Sequence, residues 1–232
     1  MWFLFLVIKR KFFIMPGRPK TLDKQKIIAV AFKAYWQAGI NNVSISDIAR
    51  ISGVSRAGIY KEFCDEDGLK SEVILLHISL LGETTLNMYN KYYDGPEAIF
   101  WHVESILTST PYKKLLEYST LINEKNIVPK GAKGCLFEKF RLNNINLDKK
   151  SQNIIKKFRT KRIKILKKFI SINISNNTMK CDLDSTIAAD FIDSQLLLTQ
   201  TMSENNIHSD KIRNVVHFSL SSLCPKNYKI QL

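Results

Sequence analysis

Apolar residues recur at helical spacing along almost the whole of this chain, and few stretches alternate as a strand would. Ile27, Ile28, Ala31, Phe32 and Tyr35 stand at i, i+1, i+4, i+5 and i+8, which is the stripe that one helix face presents to a core. Gly39 follows and ends that helix, since glycine takes up a left-handed backbone at a helix terminus at little steric cost. A second short helix is expected from about Ile45 to Ile51, with Ser44 as its N-cap and Asp47 placed to complete a capping box. Ser52-Gly53-Val54 reads as a tight turn, Ser55 caps a third helix ending near Phe63, and Asp65 opens a long fourth helix. Leu69, Val73, Leu76 and Leu80 carry that fourth helix toward Tyr89, with Gly68 a weak point in it. Pro96 suits the first turn of a fifth helix at about 96–109, and further helices are expected at about 112–125, 149–171, 184–203 and 208–222, with another near 134–142. The expected fold class is all-α, in two parts joined by the long fourth helix.

Its 232 residues can bury a core without help from disulfides or metal. The cysteines Cys64, Cys135, Cys181 and Cys224 are scattered, with no C-x-x-C pair. That pattern speaks against a zinc site or a secreted disulfide framework and for reduced thiols in a cytoplasmic protein. No cofactor and no metal are expected. P-loop, G-x-S-x-G, H-E-x-x-H and dinucleotide signatures are all missing, so no enzyme is expected. His77, His102, His208 and His217 sit on helical segments without acidic or cysteine partners in sequence and read as structural. Residues 1–8 form an apolar run followed by Lys9, Arg10 and Lys11. The run is too short to span a bilayer, and its charges follow rather than precede it, unlike those of a signal peptide. Residues 1–14 are read as an N-terminal extension, and Met15, just before Pro16-Gly17-Arg18-Pro19-Lys20, is the alternative start to Met1.

The net charge of +14 points to a polyanionic partner, nucleic acid or an anionic membrane surface. The segment Ser44 to Phe63 has the layout that a helix-turn-helix requires. Ile45, Ile48 and Ala49 hold a support helix, Gly53 makes the turn, and a short second helix stays exposed on its outer face. Ser55, Arg56, Tyr60 and Lys61 would then offer donors to base edges and phosphates, while Ala57 and Gly58 are small enough for close approach. Ser44, at the head of the support helix, joins this candidate DNA-binding set. On spacing alone, an αα-corner inside an ordinary helical bundle fits as well.

The run Ile27-Ile28, Ala31-Phe32, Tyr35, Gly39, Ser44-Ile45, Ile48-Ala49, Gly53-Val54-Ser55, Gly58-Ile59-Tyr60, Phe63 and Leu69 resembles the N-terminal domain of the TetR family of transcriptional regulators. Gly17-Arg18-Pro19-Lys20 is similar to the basic arm of many members, which implies that Arg18 and Lys20 reach phosphates or a minor groove. Lys133-Gly134-Cys135-Leu136-Phe137 resembles a signature of the C-terminal domain in one subset. The resemblance implies a DNA-binding domain over 15–64, a helical effector-binding and dimerisation domain over 65–223, and a tail over 224–232. It further implies a homodimer through the helices at about 184–203 and 208–222, binding a palindromic operator. Release by a small-molecule effector would make the protein a repressor. Phe100, Trp101, Tyr118 and Phe137 are the candidate wall of the effector pocket. Cys135 would serve as a redox sensor only if exposed and of lowered pKa. One departure is Glu66, where relatives commonly carry a phosphate-binding lysine.

Between Lys149 and Lys168 ten basic residues occur without an acidic one, alongside an apolar stripe of Ile154, Ile155, Phe158, Ile165, Leu166 and Phe169. This cationic amphipathic helix has three readings: a solvated outer face, a second anion-binding surface, or attachment to a membrane surface. The last of these sustains the alternative of a basic amphipathic protein acting at an anionic membrane.

Overall fold

The computed structural model describes residues 23–91, 95–108 and 128–228. Its α-helices are α1 Lys24–Ala38, α2 Ile45–Ser52, α3 Arg56–Phe63, α4 Glu66–His77, α5 Glu83–Lys91, α6 Glu97–Thr108, α7 Leu136–Leu142, α8 Lys149–Ser175, α9 Ser185–Glu204 and α10 Ser209–Ser221. Among the described residues there is no strand, and the all-α expectation holds. The 1–14 extension, the arm with Arg18 and Lys20, Tyr118 and the helix expected over 112–125 lie outside the described residues.

Helix α1 starts at Asp23, whose carboxylate accepts the Lys26 N–H at 3.0 Å. It ends at Gly39 (φ +92°), whose N–H donates to the Tyr35 carbonyl. Its inner stripe of Ile27, Ile28, Ala31, Phe32, Tyr35 and Trp36 is buried against α2 and α4. A fully buried side chain of this size contributes roughly 2–3 kcal/mol relative to exposure. The same hydrophobic cluster takes in Leu136, Phe137 and Phe140 of α7 and Ile155 and Phe158 of α8. Apolar packing therefore runs on past residue 64 without a break. A second cluster joins α5, α6, α8, α9 and α10 through Tyr89, Phe100, Phe169, Ile192, Leu196 and Val216.

The long fourth helix differs from its expected form. Residues Ile78–Gly82 widen into a π-turn between α4 and α5, and the Glu83 N–H donates to the Ile78 carbonyl. Gly82 sits in this turn against α8, where a Cβ would lie 2.7 Å from Phe158 Cζ. Gly68 is not a weak point either. A Cβ there would collide with the Phe63 carbonyl oxygen, so glycine is what lets α4 start directly against the end of α3. The acidic run Asp65-Glu66-Asp67 suits the positive end of α4, as its position in the sequence implies, but it does not serve that helix alone. Asp67, buried, accepts the N–H groups of Asp148 (3.2 Å) and Ser151 (3.1 Å), capping the positive end of α8.

Helix α8 also departs from a uniformly solvated face. Lys149, Lys150, Lys156, Lys157, Lys164 and Lys168 are exposed, but Arg162 is 2 % exposed. Its guanidinium meets Glu138 of α7 at 2.7 Å and Asp193 of α9. Arg141 bridges the same two carboxylates at 2.6 and 2.9 Å, and Arg159 reaches Asp193 at 2.7 Å from the edge. The apolar stripe through Phe158, Leu166 and Phe169 is buried against neighbouring helices, which leaves it no face to offer a membrane. That counts against the membrane-surface reading of this helix.

Burial alone would raise the Asp193 carboxyl, but Arg162 and Arg141 more than offset it and hold it below the ordinary carboxylate range. Its contribution to stability is accordingly complete above the unfolded pKa and is lost as pH falls through the folded one. Asp193→Ala leaves two buried guanidiniums short of a counter-charge, and about 3–5 kcal/mol of stability is expected to go with it. Lys157→Ala, on the exposed face, should change stability by no more than about 0.5 kcal/mol. Denaturant unfolding of both variants at neutral pH checks this, and near-equal midpoints would show that the cluster does not hold the three helices.

Candidate nucleic-acid interface

Helix α2 is set by its cap. The Ser44 hydroxyl accepts the Asp47 N–H at 3.2 Å, and the Asp47 carboxylate accepts the Ser44 N–H at 3.1 Å. The hydroxyl also donates to Asp47 at 2.7 Å, so Ser44 is engaged within the capping box. Hydrogen bonds from Ser44, helped by Arg50, hold the Asp47 carboxyl below its ordinary range. The helix closes at Gly53 in the left-handed conformation (φ +72°, ψ 22°), and the N–H groups of Gly53 and Val54 both donate to the Ala49 carbonyl. This turn swings the chain into α3 as the glycine spacing implied.

Helix α3 buries only Ile59 and Phe63. Ser55 caps it by accepting the Gly58 N–H at 3.1 Å, which leaves its hydroxyl hydrogen free to donate outward. Ser55, Arg56, Ala57 and Lys61 are exposed, and Tyr60 is 40 % exposed. Among the described residues no carboxylate pairs with Arg56 or Lys61. The structure thus brings Ser55, Arg56, Ala57, Tyr60 and Lys61 onto one outer surface, with Ser44 exposed at the start of the neighbouring helix. Cys64 ends α3 at φ +70°, ψ −52°, a conformation a side chain rarely adopts, with its N–H bonded to the Tyr60 carbonyl at 2.8 Å. Glu66, at the start of α4, pairs with Lys70 at 2.8 Å. Through Asp67 the exposed Lys149 and Lys150 at the head of α8 are anchored beside the same end of α4.

A cavity of about 60 Å³ is lined by Trp36 of α1, His77 of α4, the π-turn, and residues of α5, α6, α7 and α8. Phe137 lines it. Phe100 and Trp101 do not; they border a separate recess of about 230 Å³ with Glu104 and Arg213. Sequence reasoning missed the polar residues of the cavity, His77, His102, Glu138 and Arg162. A signal was present, since Arg162 sits at i+4 from Phe158 and i−4 from Leu166, on the apolar stripe of α8. A charge at such a position implies an internal partner.

His77 is not without a cysteine partner: its Nε2 lies 3.5 Å from Cys135 Sγ. Burial pushes the His77 imidazole down to about 3. Burial, assisted by Arg162, does the same to His102, also to about 3. Burial, then Glu138, pushes the Cys135 thiol up to about 12, the opposite of what a redox-sensing cysteine needs. The Gly134-Cys135 pair has a structural role instead. Gly134 (φ +70°) leaves no room for a Cβ against the Gln200 amide, the Cys135 N–H donates to Gln200 Oε1 at 2.7 Å, and the Gly134 carbonyl accepts Trp36 Nε1–H at 2.8 Å.

Residues 27–73 match the family of bacterial regulatory proteins called the tetR family. The chain is 32% identical over 99 residues, 40% of its own length and 46% of the relative's, to the HTH-type transcriptional regulator AcrR of Shigella flexneri. It spans less than half the length of the curated relatives it matches. In fold it is similar to a TetR-family transcriptional regulator from Agrobacterium tumefaciens, at a TM-score of 0.66 and 11% identity, covering 87% of this chain and 97% of that one. It is also similar to a cysteine mutant of the TetR-family regulator CifR complexed with 26-base-pair operator DNA (TM-score 0.61, 14% identity, 89% of this chain and 100% of that one). Among the described residues no helix is long and apolar enough to cross a membrane. Residues 27–73, which contain the helix-turn-helix segment, are thus similar to the tetR family of bacterial regulatory proteins, and the all-helical fold is that of solved regulators of the same family.

Proposed function

We propose that this protein is a sequence-specific transcriptional repressor of the cytoplasm. It would bind a palindromic operator as a homodimer and leave it when a small molecule binds. The observation that carries this reading is α3, whose outer face presents Ser55, Arg56, Ala57, Tyr60 and Lys61 while a capping box and a left-handed glycine turn fix its angle to α2. Such a helix enters a major groove and reads base edges from its N-terminal half. Arg18 and Lys20 in the preceding arm, and Ser44 at the head of α2, complete the proposed contact set.

Dimerisation is supported by apolar surface on α9 and α10. Ile187 is 71 % exposed, Leu198 37 % and Phe218 83 %, an unusual cost for a lone subunit. Ile187, Phe191, Ser194 and Leu198 follow one face of α9 at helical spacing, which a second copy would cover. Coupling to a small molecule is supported by the internal cavity, in which Trp36 of α1 meets residues of the C-terminal part. Phe137 lines that cavity, and Phe100 and Trp101 remain proposed only as the wall of the neighbouring recess.

Selection of bound duplexes from a random pool at about 150 mM salt, where non-specific phosphate binding is weakened, tests the operator reading. Wild type should enrich a palindrome that Tyr60→Ala loses, and enrichment of no sequence would sink it. Arg56→Ala should lower the slope of log affinity against log salt by about 1 if Arg56 contacts a phosphate. Phe218→Glu places a charge in the proposed interface; sedimentation should find it monomeric and operator affinity should fall at least tenfold. A variant that stays dimeric would move the interface elsewhere.

A further inference from the structure

Two side chains in the cavity carry a polar atom that no group among the described residues satisfies. His77 Nδ1 and Arg162 Nε are both buried without a hydrogen-bond partner, and both residues are 2 % exposed. Each has its other polar atoms occupied. Arg162 gives Nη1 to Glu138 and Nη2 to Asp193, while His77 Nε2 meets the Cys135 thiol. A thiol that keeps its hydrogen donates it to Nε2, which leaves the proton of the neutral imidazole on Nδ1. The cavity therefore holds two unused N–H donors, one of them on a cation.

The hydroxyls of Thr84, Thr85 and Ser105 on the wall donate to carbonyls one turn back in the chain, and the carboxylate there is engaged. Both oxygens of Glu138 are taken, by Arg162 at 2.7 Å and Arg141 at 2.6 Å. The rest of the wall is largely hydrocarbon, including Leu81, Leu86, Ile106 and Phe158. Buried charge is already balanced, with Arg141 and Arg162 facing Glu138 and Asp193. An anion would add an uncompensated buried charge, which is costly, whereas an uncharged acceptor adds none. At about 60 Å³ the enclosed space is that of roughly two water molecules in the liquid, so only a ligand of a few heavy atoms suits it.

We propose that the cavity is a binding site for small uncharged carbonyl compounds, whose oxygen accepts hydrogen bonds from His77 Nδ1 and Arg162 Nε while the carbon chain lies on the apolar wall. The inference rests on the effector-responsive reading above and names its chemical class. Binding fills space beside the π-turn at Ile78–Gly82, the irregular stretch of the helix that links the DNA-binding helices to the rest.

Three molecules of nearly equal shape decide the matter on the full chain: butanone, 2-methyl-1-butene, in which CH₂ replaces the oxygen, and propanoate, which carries a charge. Binding is read by saturation-transfer NMR and by the fluorescence of Trp36 in a Trp2→Phe, Trp101→Phe background, in which it is the one tryptophan left. Butanone should bind at least tenfold more tightly than either analogue. His77→Leu should weaken butanone at least fivefold, and His77→Gln, which restores an N–H, should recover part of the loss. If His77→Leu does not fold, as judged by circular dichroism, the three-ligand comparison on the wild-type side chains decides alone. Equal binding of the alkene, preferred binding of propanoate, or no binding of butanone at 100-fold excess would overturn the proposal. Operator release is followed separately by fluorescence anisotropy. Butanone binding without release would uphold the ligand class and defeat the effector reading.

Discussion

Three helices of the C-terminal part meet on charge. Arg162 from α8 and Arg141 and Glu138 from α7 close on Asp193 of α9, with two guanidiniums and two carboxylates almost fully out of water. An arrangement of this kind tolerates little displacement, because each charge is stabilised only while its partners are in place. Apolar side chains can slide over one another and repack at modest cost. This cluster cannot, and so it sets the register of α7, α8 and α9 and, through them, the walls of the cavity. The cavity inherits its one unused guanidinium N–H from the same cluster.

A second set of polar contacts ties α1 to that frame. Trp36 Nε1 donates to the Gly134 carbonyl at 2.8 Å, Lys139 Nζ to the Trp36 carbonyl at 3.1 Å, and Gln37 Nε2 to the Lys130 carbonyl at 2.8 Å. Gln200 of α9 holds the next peptide along, at Cys135. The C-terminal turn of α1 is thus bonded to a loop that is itself bonded to a proposed dimer helix. A ligand that moved this loop would act on both at once, through contacts each within hydrogen-bonding distance.

Much of this was legible in the residues, and the failures share a cause. The helices α1 to α3 follow local rules, namely a cap, a stripe and a glycine, and each local rule agreed with its neighbours. The positions of Gly68, Asp67 and Arg162 were misjudged because their partners lie elsewhere in the chain. Gly68 answers to Phe63 across a bend, Asp67 to the start of α8 some eighty residues later, and Arg162 to carboxylates on two other helices. Read within one helix, a glycine looks weak, an acid looks like a cap, and an arginine in a basic run looks solvated. The same limit explains the cavity. Aromatic residues were the natural guess for its wall, but Phe100 and Trp101 turn toward a different recess, and what distinguishes the cavity is its buried polar atoms.

Cys64 turns the chain from α3 into α4 within one residue of positive φ, and Gly68 lets α4 begin in contact with the end of α3. No slack is left at that corner. Helix α3 cannot be re-aimed on its own, as a hinged finger could be; it moves only as the end of a rigid arm whose shaft is α4. In the proposed repressor, a signal from the rest of the protein would therefore arrive at DNA as a change in where the arm points, magnified along the twelve residues of α4. In the proposed dimer a subunit of this build would measure the distance to its partner's arm, with the groove spacing of a duplex as the ruler against which that distance is read.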